Sequence, residues 1–121
     1  MNCSVIVTDG FQKSAKRLFK KHKSLKRDLG KLINELERNP YAGSRLSSHV
    51  YKVRLAITSK GKGKSGGARV ITYVNIEIES QEETDDVVVY LLDIYDKSEI
   101  SNIPSDVVKA YEQLAVQLEE E

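Results

Sequence analysis

The chain has 121 residues, of which 40% are apolar, a size and composition that fit one compact domain over residues 1–121. No run approaches the ~18 apolar residues of a membrane-spanning helix, and the opening Met1-Asn2-Cys3-Ser4-Val5 has no basic segment leading into an apolar one. One cysteine, Cys3, and two histidines, His22 and His49, exclude a disulfide framework and a Cys/His metal cluster. A cytoplasmic protein with no cofactor, no metal and no membrane partner is therefore expected.

The net charge of +1 conceals a strong asymmetry. Residues 1–74 hold 17 Lys/Arg against 4 Asp/Glu, whereas residues 75–121 hold 2 against 14. A basic half of this size suits a phosphate backbone, because each neutralised phosphate releases counterions. A solvated face on two charged helices would give the same count, so the asymmetry alone does not decide.

Ser4-Val5-Ile6-Val7-Thr8 is a short β-branched run and predicts a first strand, with Cys3 an inert residue at its start. Asp9 with Gln12 three residues on resembles a capping box. Phe11, Ala15, Leu18, Phe19 and His22 then recur at helical spacing, with lysines and Arg17 on the other face. Ser24 can cap a second helix carrying Leu25, Leu29, Leu32, Ile33 and Leu36, which should stop at Asn39-Pro40. Residues 41–50 read as a loop.

Beyond it the period changes to two. Tyr51, Val53, Leu55 and Ile57 alternate with Lys52, Arg54, Ala56 and Thr58. A Gly/Lys-rich link over 59–67 leads to a second alternating strand over 68–78, with Arg69, Ile71, Tyr73 and Asn75 on one side. An acidic turn over 79–86 precedes Val87 to Tyr95, apolar on both sides and so expected in the middle of the sheet. Pro104-Ser105 opens a last helix bearing Val107, Val108, Tyr111, Leu114, Ala115 and Leu118. The expected class is α+β in the order β-α-α-β-β-β-α: an antiparallel-rich sheet with both early helices on one face.

The link invites comparison with a nucleotide-binding P-loop, but Thr58 stands where that motif needs a glycine, and a strand follows where it needs a helix. No Ser/His/Asp arrangement suggests itself, and the carboxylates do not converge as divalent-metal chemistry would require. What remains is a basic and aromatic set. Lys52 and Arg54 share a strand face, as do Arg69 and Tyr73, while Tyr95 and Lys97 close the neighbouring strand. One surface could thus offer guanidinium forks, an ammonium and stacking rings. RNA carries its own nucleophile, the 2′-hydroxyl, so a protein need only align it, hold the anionic transition state and manage two protons. The ordinary polar face of an amphipathic sheet is the bland alternative.

The segments Phe11 to Leu18, Asn39-Pro40 with Gly43, Tyr51 to Ala56, Ser59 to Ile71 and Leu92 to Glu99 give the chain a resemblance to the RelE/ParE toxin superfamily. The run Ser65-Gly66-Gly67-Ala68-Arg69-Val70-Ile71 is most similar to its HigB-type branch. The resemblance implies a RelE-like fold and a toxin of a type II toxin–antitoxin system. It further implies a metal-independent mRNA interferase that cuts mRNA in the ribosomal A site. Its partners would be mRNA, the ribosome and a cognate antitoxin, for which a helix-turn-helix protein is one form. Matched to the family pattern, Lys52 and Arg54 take proton transfer and phosphate contact, and Arg69 takes transition-state stabilisation. The family's second arginine falls near Tyr95, with Lys97 as its substitute, and its late stacking tyrosine falls on Ile100-Ser101, leaving stacking to Tyr73 or Tyr95. The basic link adds Lys60, Lys62 and Lys64 as RNA contacts. The other readings are a ParE-like gyrase poison without nuclease activity, and a degenerate member that binds RNA or an antitoxin without turnover.

Overall fold

The computed structural model describes residues 2–61, 63, 66–77, 86–100 and 102–120. Five strands form one sheet in the order β1-β5-β4-β3-β2: β1 (Asn2–Val7), β2 (Ser44–Arg45), β3 (Val50–Leu55), β4 (Ala68–Glu77) and β5 (Asp86–Asp96). β1 runs parallel to β5 and every other pairing is antiparallel. The expected α+β order is observed, with the β-branched Val87–Tyr95 stretch lying between β1 and β4. The short β2 lies inside the stretch expected to be loop, because two residues carry no readable period.

Helices α1 (Asp9–Lys21) and α2 (Leu25–Arg38) cover one face of the sheet. Their apolar stripes, Phe11, Ala15 and Leu18 with Leu25, Leu29, Leu32 and Leu36, pack on Val53, Leu55, Val70, Val74, Val89, Leu91 and Ile94. The α1 cap is Thr8, not the expected Asp9: its Oγ1 accepts the Phe11 N–H at 3.1 Å and donates to the Leu91 carbonyl at 2.7 Å. Ser24 precedes α2 as expected but makes no cap bond; its hydroxyl goes to Asp28 instead.

Helix α3 (Ser105–Glu120) lies against the opposite face, over Val50, Ile71, Tyr73, Leu92 and Tyr95. Leu92 is the extra residue of a β-bulge, since Ile71 pairs with Asp93 and Thr72 with Leu91. The bulge lets Leu92 join this second cluster. β3 ends at Leu55, earlier than its alternation suggests, and Thr58–Lys60 coils into a 3₁₀ turn. Among the described residues no helix is long and apolar enough to cross a membrane.

Candidate active site

On the α3 side, three rungs run across β3, β4 and β5. The first is Val50–Tyr73–Tyr90, the second Lys52–Ile71–Asp93, and the third Arg54–Arg69–Tyr95. Alternation puts odd-numbered Arg69, Ile71 and Tyr73 on this face, and the antiparallel register brings even-numbered Lys52 and Arg54 beside them. The backbone register thus places Lys52, Arg54, Arg69 and Tyr95 on one face of the sheet.

The third rung sets two guanidinium residues directly opposite each other, an arrangement that costs energy where like charges meet across a strand pair. Arg54 is exposed; Arg69 and Tyr95 form the floor, 4% and 6% exposed, and Lys52 is half-buried. Burial and the nearby Arg54 push the Arg69 pKa down, with Tyr95 opposing. Arg69 Nη1 donates to its neighbour's carbonyl, Ala68, at 3.1 Å. Burial raises the Tyr95 phenol. Beside this rung, Arg54 separates two clefts at the open edge of β3. One, of about 160 Å³, lies against α2 and is lined by Asp28, Lys31, Glu35 and Thr58; the other, of about 300 Å³, is lined by Gly43, Ser44 and Lys52. Gly43, with φ of +95°, lets the chain pass close against β3: a Cβ there would run into the Lys52 carbonyl.

Lys97 follows directly on β5, its N–H donating to the Gly67 carbonyl at 3.0 Å. Tyr73 does not suit the stacking role expected of it. It is 3% exposed, between the His49 and Tyr90 rings at 5.3 and 6.2 Å, and offers no open ring face. Burial, with Glu119 and Glu112 nearby, pushes its phenol up to about 12. Lys60 is likewise not a loop cation facing solvent: its ammonium sits 2.8 Å from Asp96 Oδ1 and 3.1 Å from the Gly66 carbonyl. Lys62 and Lys64, the other expected RNA contacts, lie outside the described residues.

Two buried carboxylates escaped the sequence reading. Asp28 accepts from Ser24 Oγ at 2.7 Å and from the N–H and hydroxyl of Thr58. Asp96 accepts from Lys60, from the N–H and hydroxyl of Ser98, and from His22 Nε2 at 3.1 Å. Burial alone would raise both carboxyls, yet these donors outweigh it and hold both below the usual range. Asp-Lys-Ser at 96–98 is an Asx-turn pattern, and that signal was legible. On α3, Tyr111 donates to Asp93 at 2.7 Å, and Glu112 takes the Ser47 hydroxyl and the His49 N–H.

Comparison with curated proteins and with solved structures gave no match. A family model described as the RelE toxin of the RelE/RelB toxin–antitoxin system matches residues 10–121, taking in all three helices and strands β2 to β5. With nearly its whole length matched, and a sheet flanked by two early helices and one late one, this chain belongs to the RelE toxin family.

Proposed function

We propose that this toxin is a metal-independent, ribosome-dependent mRNA endonuclease acting through the Arg54–Arg69–Tyr95 rung and the adjoining Lys52 and Lys97. In the reaction the 2′-hydroxyl loses its proton, O2′ bonds to the neighbouring phosphorus, the P–O5′ bond breaks, and O5′ takes up a proton. The product strand ends in a 2′,3′-cyclic phosphate, or in a 3′-phosphate once water adds at phosphorus and breaks the P–O2′ bond, restoring the 2′-hydroxyl. Arg54 and Arg69 hold the pentacoordinate phosphorane, whose extra negative charge exists only in the transition state. Lys52 and Lys97 adjoin the rung as the proton carriers, and Tyr95, buried like Tyr73 and so not a stacking surface, supports Arg69 from beneath.

The observation that carries this reading is the opposition of Arg54 and Arg69 on paired strands. Two guanidinium groups so placed repel, and an anion between them turns that cost into binding. The partners of this reading are the ribosome with mRNA in its A site and a cognate antitoxin that covers the basic face, all in the cytoplasm. The chain then acts as one toxin domain.

The test is to incubate purified protein with programmed ribosomes, and separately with naked RNA, and map the new 5′ ends. Cuts confined to ribosome-bound message support the proposal. Intact message together with DNA breaks in cells expressing the chain would establish the gyrase-poison reading instead.

A further inference from the structure

The buried carboxylate of Asp96 has no place in the chemistry above, yet it is 0% exposed and lies between Tyr95 and Lys97 in the chain. It faces the α1 side of the sheet, opposite the rung, where its Oδ2 meets His22 Nε2 at the end of α1. Its Oδ1 gathers Lys60 Nζ at 2.8 Å, Ser98 Oγ at 2.8 Å and the Ser98 N–H at 3.0 Å. Lys60 in turn reaches the Gly66 carbonyl. Apart from His22, these groups lie near or just beyond the ends of β3, β4 and β5. Lys60 closes the 3₁₀ turn after β3, Gly66 and Gly67 precede β4, and Asp96 itself ends β5.

Those same three ends carry Arg54, Arg69 and Tyr95. The packing between them leaves no slack: a Cβ on Gly67 would run into the Leu55 carbonyl. The other end of the 3₁₀ turn is held by Asp28 through Thr58. A buried charge with four donors is expensive to expose and therefore keeps its partners in one geometry.

We propose that Asp96 is the positioning residue of the site, fixing the strand ends from the far face so that Arg54, Arg69 and Tyr95 stay in one rung. It touches no substrate. This rests on the nuclease reading for its kinetic consequence, while its structural consequence can be read without catalysis.

Asp96→Asn keeps the shape and one acceptor oxygen, replaces the other with an NH2 donor, and removes the charge that draws in Lys60. Cleavage on saturating programmed ribosomes should fall about tenfold to a hundredfold in kcat, as expected when reacting groups are misplaced by an ångström or less, with KM within about twofold of wild type. Ser98→Ala, a milder change on the exposed turn, should show the same pattern at smaller size, and it decides the matter should the Asn variant not fold. Hydrogen exchange at the amides of 66–69 and 95–98 should quicken in both variants while β2 is unchanged. A folded variant with wild-type kcat, or with unchanged exchange in those two segments, overturns the proposal. A purely structural carboxylate would lower the melting temperature and leave kcat alone. Wild-type protein that spares the message is a separate result: it sinks the nuclease reading, and the exchange data then stand alone for or against Asp96.

Discussion

The two ends of the α3 face use polar residues in opposite ways. At the covered end, Tyr73 is enclosed by His49, Tyr90 and the last helix, and nearby Glu112 is satisfied by the Ser47–His49 turn. Its polar atoms close a lid on the sheet. At the other end, Arg54 stands exposed opposite Arg69, beside two clefts. One end answers the needs of the fold; the other holds an arrangement the fold alone would not choose. A pair of like-charged guanidinium residues facing each other at an exposed position is a candidate anion site.

The comparison is sharpened most by exchanging the readouts. Tyr73→Ala should cost about 3–5 kcal/mol of stability, the range for truncating a buried aromatic, while whatever remains folded keeps its cleavage rate. Chemical denaturation beside a cleavage assay measures both; loss of rate in the folded fraction would place Tyr73 in the site after all. Arg69→Ala should lower cleavage by the folded protein about 100- to 1,000-fold, the loss typical of a donor to a developing oxyanion, beyond the stability cost of truncating a buried side chain. Expression of that variant should no longer arrest growth, and undiminished arrest would break the assignment. Arg54→Ala should cost about 10- to 100-fold, one charge-assisted contact, with unchanged unfolding midpoint.

pH separates the buried carboxylates from the buried phenol. Asp96, Asp28 and Glu112 are held below the usual carboxylate range, so their contribution is complete above about pH 4 and is lost as the pH falls below it. Melting curves should show an acid limb that Asp96→Asn flattens. Tyr73 moves the other way: raised to about 12, it stabilises the fold fully below about pH 10, and that contribution drains away between there and 12 as the unfolded chain ionises first. A component of the phenolate absorbance near pH 10 that Tyr73→Phe removes, with no loss of fold, would contradict its enclosure.

Much of this was readable from residue order. The period-3.6 stripes of α1 and α2 and the period-2 stretches of β3 and β4 fixed which side chains share a face, and so brought Lys52, Arg54 and Arg69 together on paper. Tyr73 falls outside the site because alternation reports the face and not what covers it, and α3 begins 32 residues further on, at Ser105. Lys60 was misjudged for a related reason. A lysine in a Gly-rich link looks free until its counter-ion, 36 residues away, is placed beside it.

By itself, then, the sequence determined the elements and the faces, because backbone periodicity is local and each residue carries it regardless of its surroundings. Only the tertiary structure decided burial and pairing: that β1 lies parallel to β5 at one edge, that α3 shuts one end of its face, and that Asp96 gathers Lys60, Ser98 and His22. Such choices depend on the balance between desolvation and the contacts that replace water, and that balance is set only when distant segments meet.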